Sequence, residues 1–381
     1  MIYLDHAATT PVRRSALEAM WPYLTGEFGN PSSTHGLGKA AADGLSRARA
    51  AVAKVLGGRA SEVTFTAGGT EADNLALKGF ALGRPRGKHL VTTPIEHEAV
   101  LASAEYLQHV HGFEVDYLTP SVEGLIDPEE LTEVLREDTT LVSIHYANNE
   151  IGAIQPIAEL TAVAKQKKVP FHTDAVQAAG QLPLNVAELG VDALSLSGHK
   201  VGAPKGSGVL WSRGRYALEP VIHGGGQERG RRSGTENIAG AVALAVALSE
   251  AEAERVDTAA RLSTLRDEFI DAVLSTCPGA QVTGPRQSRL PGHASFVFPG
   301  VNGETVLLEL ESRGIVCSSG AACAAGADEP SHVLTALGMG EELARTAVRF
   351  TFGPDVTGAD IDAAAQAVRE SVAAVGALGG R

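Results

Sequence analysis

The segment Asp192-Ala-Leu-Ser-Leu-Ser-Gly-His-Lys200 gives the strongest single indication of both fold and chemistry. Its first half has the short apolar pattern of a buried strand, and small or hydrogen-bonding residues then lead to a lysine. A lysine that is partly shielded from water loses its proton more easily, and a neutral amine forms a Schiff base with a carbonyl compound. The alternative is an ordinary solvated lysine in a glycine-rich loop.

Similar short apolar runs lie on both sides of this segment and alternate with amphipathic helical stretches. The predicted strands cover residues 62–66, 89–93, 113–118, 141–146, 170–174, 193–197 and 208–211. Strands interleaved with helices predict an α/β domain with a mostly parallel central sheet flanked by helices. Ligands of such sheets bind beyond the carboxyl ends of the strands, so the residues that follow each strand are the site candidates.

A second unit follows a long helical region at 234–275. It has predicted strands at 294–298 and 348–352, a helix near 303–313 and a terminal helix from about 358. A chain of 381 residues exceeds the usual single-domain size. We therefore predict a large cofactor-binding domain over 16–260 and a smaller α+β domain formed by 1–15 and 261–381.

Composition excludes several classes of protein. The net charge of −13 argues against a general nucleic-acid binder. The longest apolar run, 238–248, is shorter than the roughly 18 residues that cross a bilayer. The N-terminus lacks the basic and then apolar stretch of a secretory signal, which predicts a cytoplasmic protein. Three cysteines without a CxxC pair fit neither a disulfide framework nor a zinc site of the usual spacing.

Two glycine-containing turns suit the binding of an anion. Gly68-Gly-Thr70 follows a predicted strand and opens a helix, where backbone N–H groups and the helix dipole attract a phosphate. A capping box between Thr70 and Asp73 explains the same residues. Downstream, residues 223–237 combine glycines with Arg232 and Thr235, whose guanidinium and hydroxyl groups suit a phosphate or a carboxylate.

Polar residues also follow other predicted strands. Asp174 ends an apolar strand, where its carboxylate needs a cation or several donors, although a helix cap explains it equally simply. His97 begins a helix, where an imidazole stacks on an aromatic ligand, moves protons or serves a structural role. Asn148 and Asn149 place side-chain amides where a ligand would lie, and a turn motif accounts for them as well.

The last candidates lie near the C-terminal end. Small residues surround Cys323, which favours an accessible thiol, whereas Cys317 closes an apolar triplet and fits a buried position. We therefore favour Cys323 as the nucleophile. Arg349 suits a bidentate clamp for a substrate carboxylate, with an outward-facing strand arginine as the alternative and Arg345 as a rival.

Taken together, these motifs resemble the cysteine desulfurases of the NifS/IscS class, in the class V aminotransferase group of fold-type I pyridoxal phosphate enzymes. Ser197-Gly-His-Lys200 and Ser318-Ser-Gly-Ala-Ala-Cys323 are characteristic examples. The matching motifs, in order, are residues 3–11, 29–33, 68–74, 96–97, 148–152, 174–177, 197–200, 232–237 and 318–323. The resemblance spans nearly the whole chain.

The resemblance implies a role for each matching residue. Lys200 would hold pyridoxal 5'-phosphate as a Schiff base, Asp174 would pair with the ring nitrogen and His97 would stack on the ring. The remaining cofactor contacts would be Gly69, Thr70, Asn149, Gln177, Ser197, His199 and Thr235, the last from the second subunit of a homodimer. Asn149 and Arg349 would bind L-cysteine. Cys323 would take its sulfur as a persulfide, release alanine and pass the sulfur to an acceptor protein for iron–sulfur cluster assembly or tRNA thiolation.

Three features depart from the family pattern, namely His6, the loop sequence Ser319-Gly-Ala-Ala-Cys323, and Pro354 after the glycine at 353. They do not alter the residues expected to carry the chemistry, but they make the preferred sulfur acceptor harder to predict. The alternatives are a selenocysteine lyase or an aminotransferase on the same fold, or a catalytically silent scaffold for sulfur assembly. The intact Lys200 and Asp174 argue against the silent scaffold.

Overall fold

The computed structural model describes residues 1–320 and 330–379. The strands are β1 (Ile2–Tyr3), β2 (Val63–Thr66), β3 (His89–Thr92), β4 (Glu114–Tyr117), β5 (Thr139–Ser143), β6 (Phe171–Asp174), β7 (Ala193–Ser197), β8 (Gly208–Ser212), β9 (Gln281–Val282), β10 (His293–Val297), β11 (Ile315–Val316) and β12 (Ala347–Thr351). The helices are α1 (Arg14–Thr25), α2 (Gly36–Leu56), α3 (Gly69–Gly83), α4 (Glu98–His111), α5 (Pro128–Val134), α6 (Ile157–Gln166), α7 (Val186–Leu189), α8 (Ile238–Thr276), α9 (Gly303–Ser312), α10 (His332–Ala336), α11 (Glu341–Ala344) and α12 (Gly358–Gly379).

Seven strands form the central sheet in the order β2-β8-β7-β6-β5-β3-β4. The neighbouring pairs from β7 to β4 are parallel, whereas β8 runs antiparallel to both β7 and β2. The predicted mostly parallel sheet is confirmed, and each of the seven predicted strands overlaps an observed one. Every residue of β5, β6 and β7 is buried, as expected for parallel strands that are covered on both faces.

Helices pack on both faces of this sheet. One apolar cluster joins residues of α2, α6 and α8 to Val142, Phe171 and Leu194 of the sheet. A second cluster joins α3 and α4 to Leu141 and Leu210. Because neighbouring residues of one strand point to opposite faces, Leu141 and Val142 lie in different clusters. Because helices cover both faces of the sheet, polar residues that bind a ligand are expected at the carboxyl ends of the strands.

The remaining strands belong to a separate hydrophobic core. Antiparallel β12, β10 and β9 form a three-stranded sheet, and the short β1 pairs with β11. Phe269 of α8 packs edge-to-face against Phe296, Phe350 and Phe352. This core contains Leu4 and otherwise only residues from 262 onward, which supports the predicted division at residues 15 and 260, although the boundaries stay a prediction.

No helix within the described residues is both long enough and apolar enough to span a bilayer. Helix α8 is 39 residues long, but glutamates and arginines interrupt its apolar surface from its middle onward.

Candidate active site

Lys200 lies in the turn Gly198–Lys200 that follows β7. Its Nζ donates hydrogen bonds to the carbonyl oxygens of Ala7 and, at 2.8 Å, Ala8. The Gln177 side chain donates to the same Ala7 oxygen at 3.1 Å. The structure thus brings Lys200 and Gln177 together through the N-terminal segment, residues 5–10. The sequence offered no signal for Ala7, because only its backbone oxygen takes part.

A cavity of about 600 Å³ adjoins this point and is lined by Lys200, Gln177 and His6, among others. None of His97, Asn149, Asp174 and Arg349 lines it. In this structure the Lys200 ammonium faces the N-terminal segment.

Asp174 is the last residue of β6 and is 8% exposed. Its Oδ1 accepts a hydrogen bond from the Val176 N–H at 2.8 Å. Residues 176–181 form turns and not a helix, so Asp174 caps a turn and the predicted helix cap is wrong. Burial raises the pKa of the Asp174 carboxyl, and the charge of His97 opposes this increase. A cation placed beside this buried carboxylate would stabilise its ionised form.

His97 precedes α4 and is half-buried. Its Nδ1 accepts a hydrogen bond from the Ala99 N–H at 3.0 Å, which confirms the structural role of a helix cap. Because Nδ1 acts as acceptor, the neutral ring carries its proton on Nε2. The cap fixes the orientation of the ring.

The glycine turn before α3 lies against Ser197 and Val176. A Cβ atom at Gly69 would stand 2.8 Å from Val176 Cγ2 and 3.4 Å from Ser197 Cβ, so only glycine allows this close approach. The predicted capping box is wrong. Gly68, not Thr70, is the N-cap residue, and Asp73 is buried with its Oδ1 3.7 Å from a ring nitrogen of His172. The anion site at Gly69 and Thr70 stays a prediction.

His199 and Thr235 occupy different surroundings. His199 Nδ1 lies 3.2 Å from the Thr9 hydroxyl. Burial, followed by the charges of Lys200 and Lys205, lowers the pKa of His199 to about 4, so the ring is neutral at physiological pH. Thr235 is exposed and lines a cavity of about 240 Å³ together with Ala67, Gly208 and Arg232.

Arg349 lies on β12 and is 3% exposed, so the outward-facing alternative is wrong, and its role as a carboxylate clamp stays a prediction. Its Nη2 lies 2.8 Å from Asp5 Oδ1, and its Nη1 donates to the Asn149 carbonyl at 3.0 Å. His293 Nε2 lies 3.1 Å from the same carbonyl oxygen. The Nε of Arg349 is buried and has no hydrogen-bond partner among the described residues. Arg345 is exposed and 3.8 Å from Glu341, unlike a buried clamp.

The structure describes two of the three cysteines, Cys277 and Cys317. Cys323, the predicted nucleophile, lies outside the described residues. Cys317 follows β11, and burial together with the charge of Asp5 raises the pKa of its thiol. Cys277 is buried, and burial raises its pKa as well. Both thiols are therefore poor nucleophiles, because the thiolate is the reactive form.

Comparisons with known proteins agree with this geometry. The sequence profile of "Aminotransferase class-V" matches residues 2–364. The cysteine desulfurase IscS of Dictyoglomus turgidum is 46% identical over 362 residues, which cover 95% of this chain and 92% of that protein. The chain belongs to the class V aminotransferase family, among the NifS/IscS-class cysteine desulfurases.

Solved structures show the same fold in this family. A NifS-like protein superimposes with a TM-score of 0.90 at 38% identity and covers 97% of this chain and 98% of its own. SspA in complex with cysteine superimposes with a TM-score of 0.82 at 38% identity, over 93% and 99%. The class V chain therefore has the fold of the fold-type I pyridoxal phosphate enzymes.

Class V aminotransferases depend on pyridoxal phosphate, and the residues present fit this cofactor. Asp174 is a buried carboxylate suited to a protonated ring nitrogen. Gly69 lets the start of α3 lie directly against Ser197 at the end of β7, where a phosphate would be held. The buried Nε of Arg349, which has no hydrogen-bond partner among the described residues, suits the carboxylate of a substrate. Sequence reasoning assigned no role to Asp5, Glu96 or His145, although Asp5 and Glu96 lie within the family motifs.

Proposed function

We propose that this chain is a pyridoxal phosphate-dependent cysteine desulfurase that converts L-cysteine to L-alanine and retains the sulfur on Cys323. The observation that carries the proposal is the placement of Asp174 and Lys200 at the carboxyl ends of the neighbouring strands β6 and β7. The alignment with desulfurases over 95% of the chain supports the same reaction.

In the proposal each side chain has a defined task toward the cofactor. Lys200 holds the aldehyde carbon and Asp174 holds the ring nitrogen in its protonated form. His97 stacks on the ring, and Gln177 contacts the ring oxygen. The phosphate is held by Gly69, Thr70, Ser197 and His199. When bound, pyridoxal phosphate supplies an electron sink for the carbanion at the substrate Cα.

The substrate is oriented by its carboxylate. Arg349 and Asn149 bind this group, and the guanidinium then exchanges its contact with Asp5 for the substrate. Lys200, whose neutral amine is a base, would move the proton at the substrate Cα.

Cys323 then performs the sulfur transfer. Its thiolate attacks the sulfur of the bound cysteine, so that a new sulfur–sulfur bond forms as the carbon–sulfur bond of the substrate breaks. The electron pair of the broken bond stays with the substrate Cβ, which takes up the proton lost by the Cys323 thiol and becomes the methyl group of alanine. Alanine leaves and Cys323 holds a persulfide. The acceptor is a protein, for iron–sulfur cluster assembly or tRNA thiolation, and the reaction takes place in the cytoplasm. The raised pKa values of Cys317 and Cys277 support Cys323 as the nucleophile.

The active form is a homodimer. Leu17, Trp21 and Leu24 lie on one side of α1 at helical spacing, and they are 49%, 64% and 56% exposed. A row of exposed large apolar side chains suits an interface with a second copy. Thr235 is exposed, which suits its contribution to the phosphate site of the second subunit.

The test compares matched serine variants. Wild type incubated with L-cysteine releases alanine and carries a persulfide that mass spectrometry places on Cys323. Cys323→Ser loses both products in the presence of a thiol acceptor, whereas Cys317→Ser and Cys277→Ser retain them. Full persulfide formation by Cys323→Ser contradicts the nucleophile assignment. Faster turnover of selenocysteine than of cysteine by wild type favours a selenocysteine lyase instead.

A further inference from the structure

Glu96 and His145 form a buried pair that the reaction described above does not use. Glu96 is fully buried, and His145 is 3% exposed. His145 Nδ1 lies 3.1 Å from Glu96 Oε1, and the His145 backbone N–H donates to the same carboxylate at 2.9 Å. The Thr93 hydroxyl donates to Glu96 Oε1 at 3.0 Å. The carboxylate therefore fixes the position of the His145 ring from two directions.

The parallel hydrogen-bond ladder places His145 beside Asp174. The ladder between β5 and β6 continues beyond β5, because Ile144 N–H donates to His172 O at 3.2 Å and Tyr146 N–H donates to Asp174 O at 2.7 Å. In this register His145 is opposite Asp174. Adjacent strands lie about 4.8 Å apart.

The two side chains also share one face of the sheet. Ser143 Oγ lies 2.9 Å from His172 Nδ1, so Ser143 and His172 point to the same side. Residues two positions further along each strand point to that side again. His145 and Asp174 are these residues. The imidazole thus flanks the carboxylate proposed to hold the ring nitrogen of the cofactor.

One nitrogen of this imidazole remains without a partner. His145 Nε2 is buried and has no hydrogen-bond partner among the residues that the structure describes. A buried polar atom left in this way costs free energy, which indicates a purpose other than stability. Glu96 also directly precedes His97 in the sequence. The pair therefore adjoins both Asp174 and His97, the two groups proposed to contact the cofactor ring.

Two buried titratable groups near the pair, Asp73 and His172, favour their neutral forms. Asp73 on α3 is buried beside Asp174, which raises its pKa and favours its neutral form. Burial lowers the pKa of His172 on β6 to about 3, so that ring is neutral. Glu96 raises the pKa of His145 against the effect of burial, and Asp174 acts in the same direction while His97 opposes it. His145 is the histidine of this group whose pKa is shifted upward, in the direction that favours its protonated form.

We propose that His145, oriented by Glu96, is a positioning residue that keeps the Asp174 carboxylate ionised against the ring nitrogen of the cofactor. The proposal rests on the proposed function, because it assigns His145 a task only toward a bound pyridoxal phosphate. Removing the His145 imidazole favours transfer of the shared proton from the ring nitrogen to Asp174. A loss of one pKa unit of interaction corresponds to about a tenfold change in equilibrium.

The test uses the holoenzyme loaded with pyridoxal phosphate that is labelled with ¹⁵N at the ring nitrogen. His145→Gln shifts the ¹⁵N resonance from its protonated toward its unprotonated position and weakens cofactor binding about tenfold. His89→Gln is the matched control, because His89 is also a fully buried histidine. It is the first residue of β3 and lies away from the carboxyl end of that strand, which leads to Glu96. This control variant leaves the ¹⁵N resonance and the dissociation constant unchanged.

His145→Asn provides a second variant if His145→Gln does not fold. It removes the same imidazole, so the ¹⁵N resonance shifts in the same direction. An unchanged resonance and an unchanged dissociation constant in whichever folded variant is measured overturn the role of His145. Wild type that binds no pyridoxal phosphate overturns the proposed function itself, so the two failures are distinguishable.

Discussion

At the scale of single residues, Arg349 illustrates how a site residue is held before its ligand arrives. Its guanidinium contacts Asp5 at 2.8 Å and the Asn149 carbonyl at 3.0 Å, and its Nε is buried without a partner among the described residues. In the proposed function a substrate carboxylate supplies the hydrogen bond that Nε lacks, because a guanidinium binds a carboxylate through two parallel hydrogen bonds. Asp5 keeps the buried cation paired in the meantime.

We expect Arg349→Lys to raise the KM for L-cysteine roughly tenfold to a hundredfold, since a hydrogen bond to a charged group contributes about 1.5–3 kcal/mol. Lysine retains the charge and loses the planar, bidentate geometry. Steady-state kinetics of alanine release measure the effect. The control is Arg345→Lys, which alters an exposed arginine and leaves KM unchanged. An unaltered KM in Arg349→Lys argues against the carboxylate contact.

At the scale of elements, the start of α3 brings a backbone turn against the end of β7. The N-cap Gly68 and the first helical residue Gly69 differ in their surroundings. A Cβ at Gly69 would meet Val176 and Ser197, whereas a Cβ at Gly68 would have nothing within 4 Å. The helix therefore approaches the sheet at Gly69 only because this residue has no side chain.

We expect Gly69→Ala to displace α3 from Ser197 and to weaken cofactor binding, because overpacking costs about 1–3 kcal/mol. Fluorescence titration of the apoenzyme with pyridoxal phosphate measures the dissociation constant. Gly68→Ala has the same change in composition without the steric conflict and binds as wild type does. Equal binding by both variants contradicts the phosphate site at this turn.

At the scale of the whole molecule, the exposed apolar row on α1 and the exposed Thr235 suit contact with a second copy of the chain. Trp21 is 64% exposed and lies between Leu17 and Leu24 along the helix. Burying such a side chain contributes about 1.5–3 kcal/mol. In the proposed dimer, a second copy of the chain buries this row and at the same time completes the phosphate site with Thr235.

We expect Trp21→Glu to convert the dimer to monomers and to weaken cofactor binding with it, because a charge at an apolar interface is costly. Light scattering coupled to size-exclusion chromatography measures the mass. Val256→Glu serves as the control, because Val256 is an isolated valine that is 66% exposed on α8. A wild-type monomer, or a Trp21→Glu variant that remains dimeric, contradicts the interface.

The sequence by itself determined the alternation of strands and helices, the buried strands β5 to β7 and the candidates Lys200, Asp174 and His97. Short apolar runs and the residues that follow them carry this information locally. The sequence failed at the Thr70–Asp73 capping box, because local spacing does not reveal that Asp73 is buried against His172. The outward-facing alternative for Arg349 failed for the same reason.

Only the tertiary structure decided which distant groups meet. Asp5 reaches Arg349 across 344 residues, and Ala7 reaches Lys200 across 193. His145 lies beside Asp174 because two strands are in one register, and Glu96 reaches it from a third segment. Such contacts depend on the packing of the complete sheet, which no local pattern encodes. Local sequence thus identified Lys200 and Asp174 as candidates, whereas packing decided which charges surround them.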